Sequence, residues 1–128
     1  MNDGGFVITW MAYTNNNGYD IFAQRYDALG VKKGVQLSIN TTKAGGQYDP
    51  KAVSLNDGGF VVTWAGLNNY STDIFAQCYD AQGVKLGDEF IFNSTTILDQ
   101  FSPIFACLND GGFVVAWQGD TYDNGFYT

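Results

Sequence analysis

Apolar and polar residues alternate along this chain with a period of two, in short runs separated by turns rich in Gly, Asp and Asn. In residues 60–64 (FVVTW), Phe60, Val62 and Trp64 fall on one face of an extended segment, Val61 and Thr63 on the other. The preceding Asn56-Asp57-Gly58-Gly59 predicts a tight hairpin in which at least one glycine takes a positive φ. Residues 50–55 (PKAVSL), opened by Pro50, form a first short strand before it. After a polar loop, residues 73–79 (DIFAQCY) make a third strand. Asp80-Ala81-Gln82-Gly83 makes a second turn, with Asp at its first position and Gly at its fourth. Residues 84–93 complete the set, Phe90 and Phe92 alternating with Glu89 and Ile91. No segment carries a helical period, so the pattern predicts an all-β, antiparallel protein.

The pattern recurs. Asn-Asp-Gly-Gly-Phe-Val begins at Asn2, Asn56 and Asn109, spacings of 54 and 53. The segment DIFAQ occupies 20–24 and again 73–77, and Tyr26-Asp27-Ala28 returns as Tyr79-Asp80-Ala81. Asn40, Gln47 and Pro50 return 53 positions later as Asn93, Gln100 and Pro103. Identity over about half of a unit is beyond chance and marks a tandem repeat. The frame gives units 1–55 and 56–108 and an incomplete third, 109–128. Met1 then stands where Leu55 and Leu108 stand, as a strand residue of a longer chain would. Four antiparallel strands in about 53 residues match a β-propeller blade, with stacked β-sandwiches or a solenoid as the alternative. Phe6, Phe60 and Phe113, with Trp10, Trp64 and Trp117, are the expected sheet-to-sheet core. Two and a third units are too few to close a propeller, so head-to-tail self-association or a long array is expected.

Composition narrows the function. Thirteen acidic residues against six basic ones give a net charge of −7, which repels phosphate backbones and anionic membranes. No apolar run approaches the ~20 residues of a membrane span. With no His in the chain, the commonest general base and metal ligand are missing. No nucleophile–base pair is apparent, and a non-catalytic role follows. The adjacent acids Asp88 and Glu89 correspond to Val35 and Gln36 in the first unit, and read as a solvated strand edge. Cys78 and Cys107 lie on non-equivalent strands and read as separate thiols.

The motifs NDGGFVVTW (56–64), DIFAQ-x-YDA-x-G (73–83), Asn93-x-Thr95 and Gln100-x-x-Pro103 resemble the tandem "DGGFVVTW…AQRYDA" repeats of very large secreted and cell-surface proteins. The resemblance covers essentially the whole chain. Such repeats accompany haemolysin-type calcium-binding or cadherin-like modules. The resemblance implies an extracellular or cell-surface structural or adhesive role, with no catalytic residues to carry over.

Three kinds of site remain as candidates. Asn15, Asn17 and Asp20, and in the third unit Asp120 and Asp123, could offer oxygen ligands to calcium around a tight turn, but ordinary turn chemistry explains them better. Sequons at Asn40, Asn69 and Asn93 are glycosylation candidates in a eukaryotic secreted chain; Asn40 and Asn93, at the end of the fourth strand, are expected to be exposed. The many Tyr and Trp residues offer stacking platforms for glycans, the feature a lectin-like or protein-binding propeller would use.

Overall fold

The computed structural model describes residues 3–14, 18–68, 71–93, 99–107, 113–120, 122–123 and 126–127. All regular structure in them is β-strand, every pairing is antiparallel, and no helix occurs. Strands β1 (Phe6–Thr14), β2 (Gly18–Tyr26) and β3 (Lys32–Ser38) form a first sheet in that order. Strands β4 (Gln47–Ser54), β5 (Phe60–Asn68), β6 (Ser71–Tyr79) and β7 (Lys85–Ile91) form a central four-stranded meander. Strands β8 (Gln100–Cys107) and β9 (Phe113–Gly119) make a third sheet, and β10 (Tyr122–Asp123) pairs with β11 (Phe126–Tyr127).

All four strands expected from the second unit and its flanks are present. The expected polar loop after Trp64 is instead mostly strand: the β5–β6 ladder runs on to the pair Asn68↔Ser71. Side-chain bonds there replace apolar packing, Asn68 Nδ2 donating to Asp73 Oδ2 at 2.7 Å. The central sheet spans residues 47–91, so the NDGG string lies in the β4–β5 hairpin and the 55/56 boundary of the sequence frame falls within one sheet.

Both turn types form as their residues dictate. Gly4 and Gly58 have φ of 76° and 87°; the third pair, Gly111-Gly112, lies outside the described residues. The second glycine serves a different need. A Cβ on Gly59 would stand 2.5 Å from the Tyr79 carbonyl oxygen, and one on Gly5 equally close to that of Tyr26. In the other turn, Asp80 Oδ1 accepts the N–H groups of Gln82 and Val84, as Asp27 Oδ1 accepts those of Leu29 and Val31. The first strands carry a matched irregularity. Asp49 and Ser102, each just before a proline, have φ of 51° and 54°, where the ladders of β4 and β8 skip a residue.

The sheets stack face on face. β4 lies against β1 and β2, and β8 lies against β4, β5 and β6. Ile21, Ala23 and Ile39, with Val7 and Leu37 at the margin, pack on Phe60, Val62, Trp64, Phe75 and Tyr79. Within the central sheet, rings stack in cross-strand pairs: Phe60–Tyr79 at 4.8 Å and Trp64–Phe75 at 5.9 Å. The first sheet repeats them as Phe6–Tyr26 at 5.1 Å and Trp10–Phe22 at 6.2 Å. On the far side, Phe92 meets Phe113 edge to face at 6.1 Å.

One sequence thus occupies three environments. Residues 60–64 are all buried, Phe60 being 1% exposed, whereas Phe6 is 42% and Phe113 39% exposed. The difference lies in neighbours: among the described residues, the central sheet alone is covered on both faces. Matched substitutions should report it: Phe60→Ala costs about 3–5 kcal/mol of stability and Phe6→Ala about 1–2 kcal/mol, measured by urea unfolding. Equal losses would contradict the stacking.

Candidate functional site

The residues singled out for chemistry fall into buried polar knots, inter-sheet ties and one exposed aromatic cluster. The first knot contains Asp20 and Asn40. Asp20 comes from β2, one residue before the buried Ile21, and its side chain turns inward beside the end of β3. Asp20 Oδ1 accepts from Asn40 Nδ2 at 2.6 Å, and Asp20 Oδ2 accepts from Thr14 Oγ1 at 3.0 Å. Asn40 Oδ1 accepts from the Ile21 N–H at 2.7 Å, and its Nδ2 also donates to the Thr42 carbonyl at 2.9 Å. Lys43 Nζ, 3.6 Å from Asp20 Oδ1, supplies a counter-charge. The central sheet rebuilds the knot: Asn93 Nδ2 donates to Asp73 Oδ1 at 2.8 Å, and Asn93 Oδ1 accepts from the Ile74 N–H at 2.8 Å.

This arrangement corrects the expected exposure of two sequons. Asn40 and Asn93 are 2% and 6% exposed, not open to solvent. A sugar would replace an Nδ2 hydrogen, and in Asn40 both are given to Asp20 and Thr42, so a glycan there is incompatible with this packing. Asp20 likewise spends both oxygens inside the protein rather than presenting them to a cation. Asn15, Asn17 and the sequon residue Asn69 lie outside the described residues, as does the side chain of Asp123. Asp120 is partly buried, its N–H bonded to the Asp99 carbonyl at 2.9 Å. Among the described residues, no three of Asp, Glu, Cys or His gather as a metal site would require.

A second recurring device joins the first strand of a sheet to the second. Gln47 Oε1 accepts from Trp64 Nε1 at 2.8 Å, and Gln100 Oε1 accepts from Trp117 Nε1 at 3.0 Å. The amide lies over a glycine in each sheet: a Cβ on Gly66 or Gly119 would stand 2.2 Å from that Gln oxygen. The first sheet has Ala12 at this position.

The ties between sheets are polar. Arg25 Nη1 donates to the Ala81 carbonyl at 2.8 Å, from the first sheet to the central one. Glu89, read from sequence as a solvated edge residue, grips the loop between β3 and β4 instead. Its Oε1 accepts from the Thr41 N–H at 2.6 Å, and its carboxylate also accepts from the Thr42 N–H and hydroxyl. Sequence comparison missed this because Gln36, its counterpart, gave no sign of a conserved task. Thr72 N–H donates to Asp99 Oδ1 at 2.7 Å, extending the ties toward the third sheet.

The remaining reactive groups are muted. Cys78 is a free, partly buried thiol whose pKa burial pushes up; the Cys107 side chain lies outside the described residues. The buried Tyr79 phenol is also pushed far up, by desolvation and then by the Glu89 charge. Trp64 is fully buried as expected, but Trp117 remains partly open. The open aromatic cluster is made of tyrosines instead: Tyr13 meets Tyr19 at 5.7 Å, and Tyr19 meets Tyr48 at 5.8 Å. All three are exposed. No known protein family, curated protein or solved structure matches the chain.

The geometry therefore assigns most of the polar residues to holding sheets in register. Asn93→Leu strands the buried Asp73 oxygen and the Ile74 N–H together, and should cost about 2–4 kcal/mol in chemical denaturation. A loss below about 0.5 kcal/mol would show the knot to be incidental.

Proposed function

We propose that this chain is a structural or adhesive module of an extracellular or cell-surface array, built from tandem blade-like sheets that use one another as cover. The observation that carries the reading is the threefold FVxxW strand, buried only where a sheet stands on both sides. A unit that cannot bury its own aromatic face gains stability from neighbours, which is the physics of a repeat array. The consecutive four-strand order of the central sheet and the closeness of β4 to β8 favour a blade-like arrangement, with first strands innermost, over separate sandwiches. The resemblance to repeats of large surface proteins supports the extracellular role. The polar groups bond inward, which favours a scaffold over a catalyst.

A second reading rests on Tyr13, Tyr19 and Tyr48. Their open rings offer a stacking surface for a glycan or a peptide. The counterparts of Tyr13 and Tyr48 are Leu67 and Phe101, so this surface, shared by β1, β2 and β4, would not recur in every unit.

Chains carrying two, four and six copies of the central unit test the array reading. Their melting temperatures should rise with copy number, and their maximum dimension in X-ray scattering should grow with it. A melting temperature independent of copy number would mean self-sufficient domains and would overturn the proposal.

A further inference from the structure

The three open tyrosines stand where the repeat breaks down. Tyr13, Tyr19 and Tyr48 align with Leu67, Thr72 and Phe101, and the adjoining Gly45-Gly46 aligns with Leu98-Asp99. These departures come from β1, β2 and the approach to β4, yet the structure gathers them at the seam between the first and central sheets. The glycines are what allow it. A Cβ on Gly46 would overlap the Tyr48 phenol, and one on Gly45 would stand 2.5 Å from the Leu67 side chain. With only hydrogen there, the Tyr48 ring folds back over the loop and meets Tyr19. The Leu67 N–H donates to the Gly46 carbonyl at 3.3 Å, which pins the loop to the end of β5. Tyr13 is 69% exposed, Tyr48 43% and Tyr19 38%.

The geometry of this cluster selects among ligands. The Tyr13 and Tyr19 rings are inclined at 79°, the Tyr19 and Tyr48 rings at 51°. Rings set at such angles make corners rather than a flat platform. A pyranose needs a flat ring face beneath it and polar side chains around its rim. Among the described residues, the polar side chains beside the cluster are already committed: Thr14 and Asn40 both bond to Asp20. The flanking charges are paired, Lys51 with Asp49 at 2.7 Å and Lys43 with Asp20 at 3.6 Å, so the surroundings suit an uncharged ligand. A polyproline II strand asks for what remains. Its pyrrolidine rings are apolar wedges, and its carbonyls, unpaired within the strand, accept hydrogen bonds from phenols.

We propose that Tyr13, Tyr19 and Tyr48 bind an uncharged, proline-rich peptide segment in the polyproline II conformation. Prolines sit in the two corners between the rings, and the phenols donate to the peptide carbonyls. The inference rests on the stacking-surface reading and names its ligand. Tyr19 belongs to both corners and carries most of the contact. A ligand that is already stiff loses little conformational freedom on binding, which suits a surface as small as three rings.

Titration of the whole chain with an acetylated, amidated deca-proline, followed residue by residue by NMR, tests this, with cellohexaose as the glycan probe. Shift changes should centre on Tyr13, Tyr19 and Tyr48. Tyr19→Ser should weaken deca-proline binding at least about tenfold, and Tyr13→Ser and Tyr48→Ser about three- to tenfold. Leu29→Ser, at an exposed site on the β2–β3 turn, should leave it unchanged. Thermal melting checks that each variant folds, and Tyr13→Ser, at the most open of the three positions, decides the matter if Tyr19→Ser does not fold. Undiminished deca-proline binding in the folded tyrosine variants overturns the proposal. So does the absence of any response to deca-proline at millimolar concentration. Cellohexaose shifts at the same tyrosines would then leave the stacking surface standing with a glycan as its ligand, whereas silence from both probes would remove the stacking reading as well.

Discussion

The structure depends on one contact, the burial of a flat aromatic strand face beneath the aliphatic face of the next sheet. Phe60, Val62 and Trp64 are buried among Phe75 and Tyr79 of their own sheet and Ile21, Ala23 and Ile39 from the neighbouring one. A β-sheet this small has one core-forming option, another sheet about 10 Å away. The Phe60–Tyr79 and Trp64–Phe75 rings stack at interplanar angles of 6° and 11°, and Ile21 and Ala23 pack in the same core. Apolar burial of this kind is non-directional, so by itself it would let one sheet slide across the other.

Direction comes from the polar groups. The knots Asp20–Asn40 and Asp73–Asn93 each fasten the segment after a sheet's last strand to the backbone of the strand before it, β2 at Ile21 and β6 at Ile74. Gln47 and Gln100 tie first strands to the tryptophans of second strands. Arg25 and Glu89 then set one sheet against another. Buried polar groups are costly when unpaired, so each of these bonds penalises any other register more than it adds to the native one.

Much of this was legible in the chain. Alternating FVVTW and the Asp-x-x-Gly and NDGG turns encode strands and hairpins locally, within about ten residues, which is why their positions were readable. The 53-residue identities pointed to equivalent roles, and Gln47/Gln100 and Asn40/Asn93 do play them. The nature of those roles was not readable. Asn40 looks like an exposed sequon because its motif is local, whereas its partners, Asp20 and the Ile21 N–H, lie about twenty residues upstream. Glu89 looks idle because its partners, Thr41 and Thr42, stand in the distant loop between β3 and β4. The exposed tyrosines follow no repeat and gave no pattern to read.

The central claim is that position in the stack, not sequence, decides how firmly each FVxxW strand is held. Native-state amide hydrogen exchange reads this strand by strand in one sample. The account expects β5 amides to exchange only by global unfolding, and those of β1 and β9 to exchange markedly faster despite their near-identical residues. Equal protection across the three strands would contradict it.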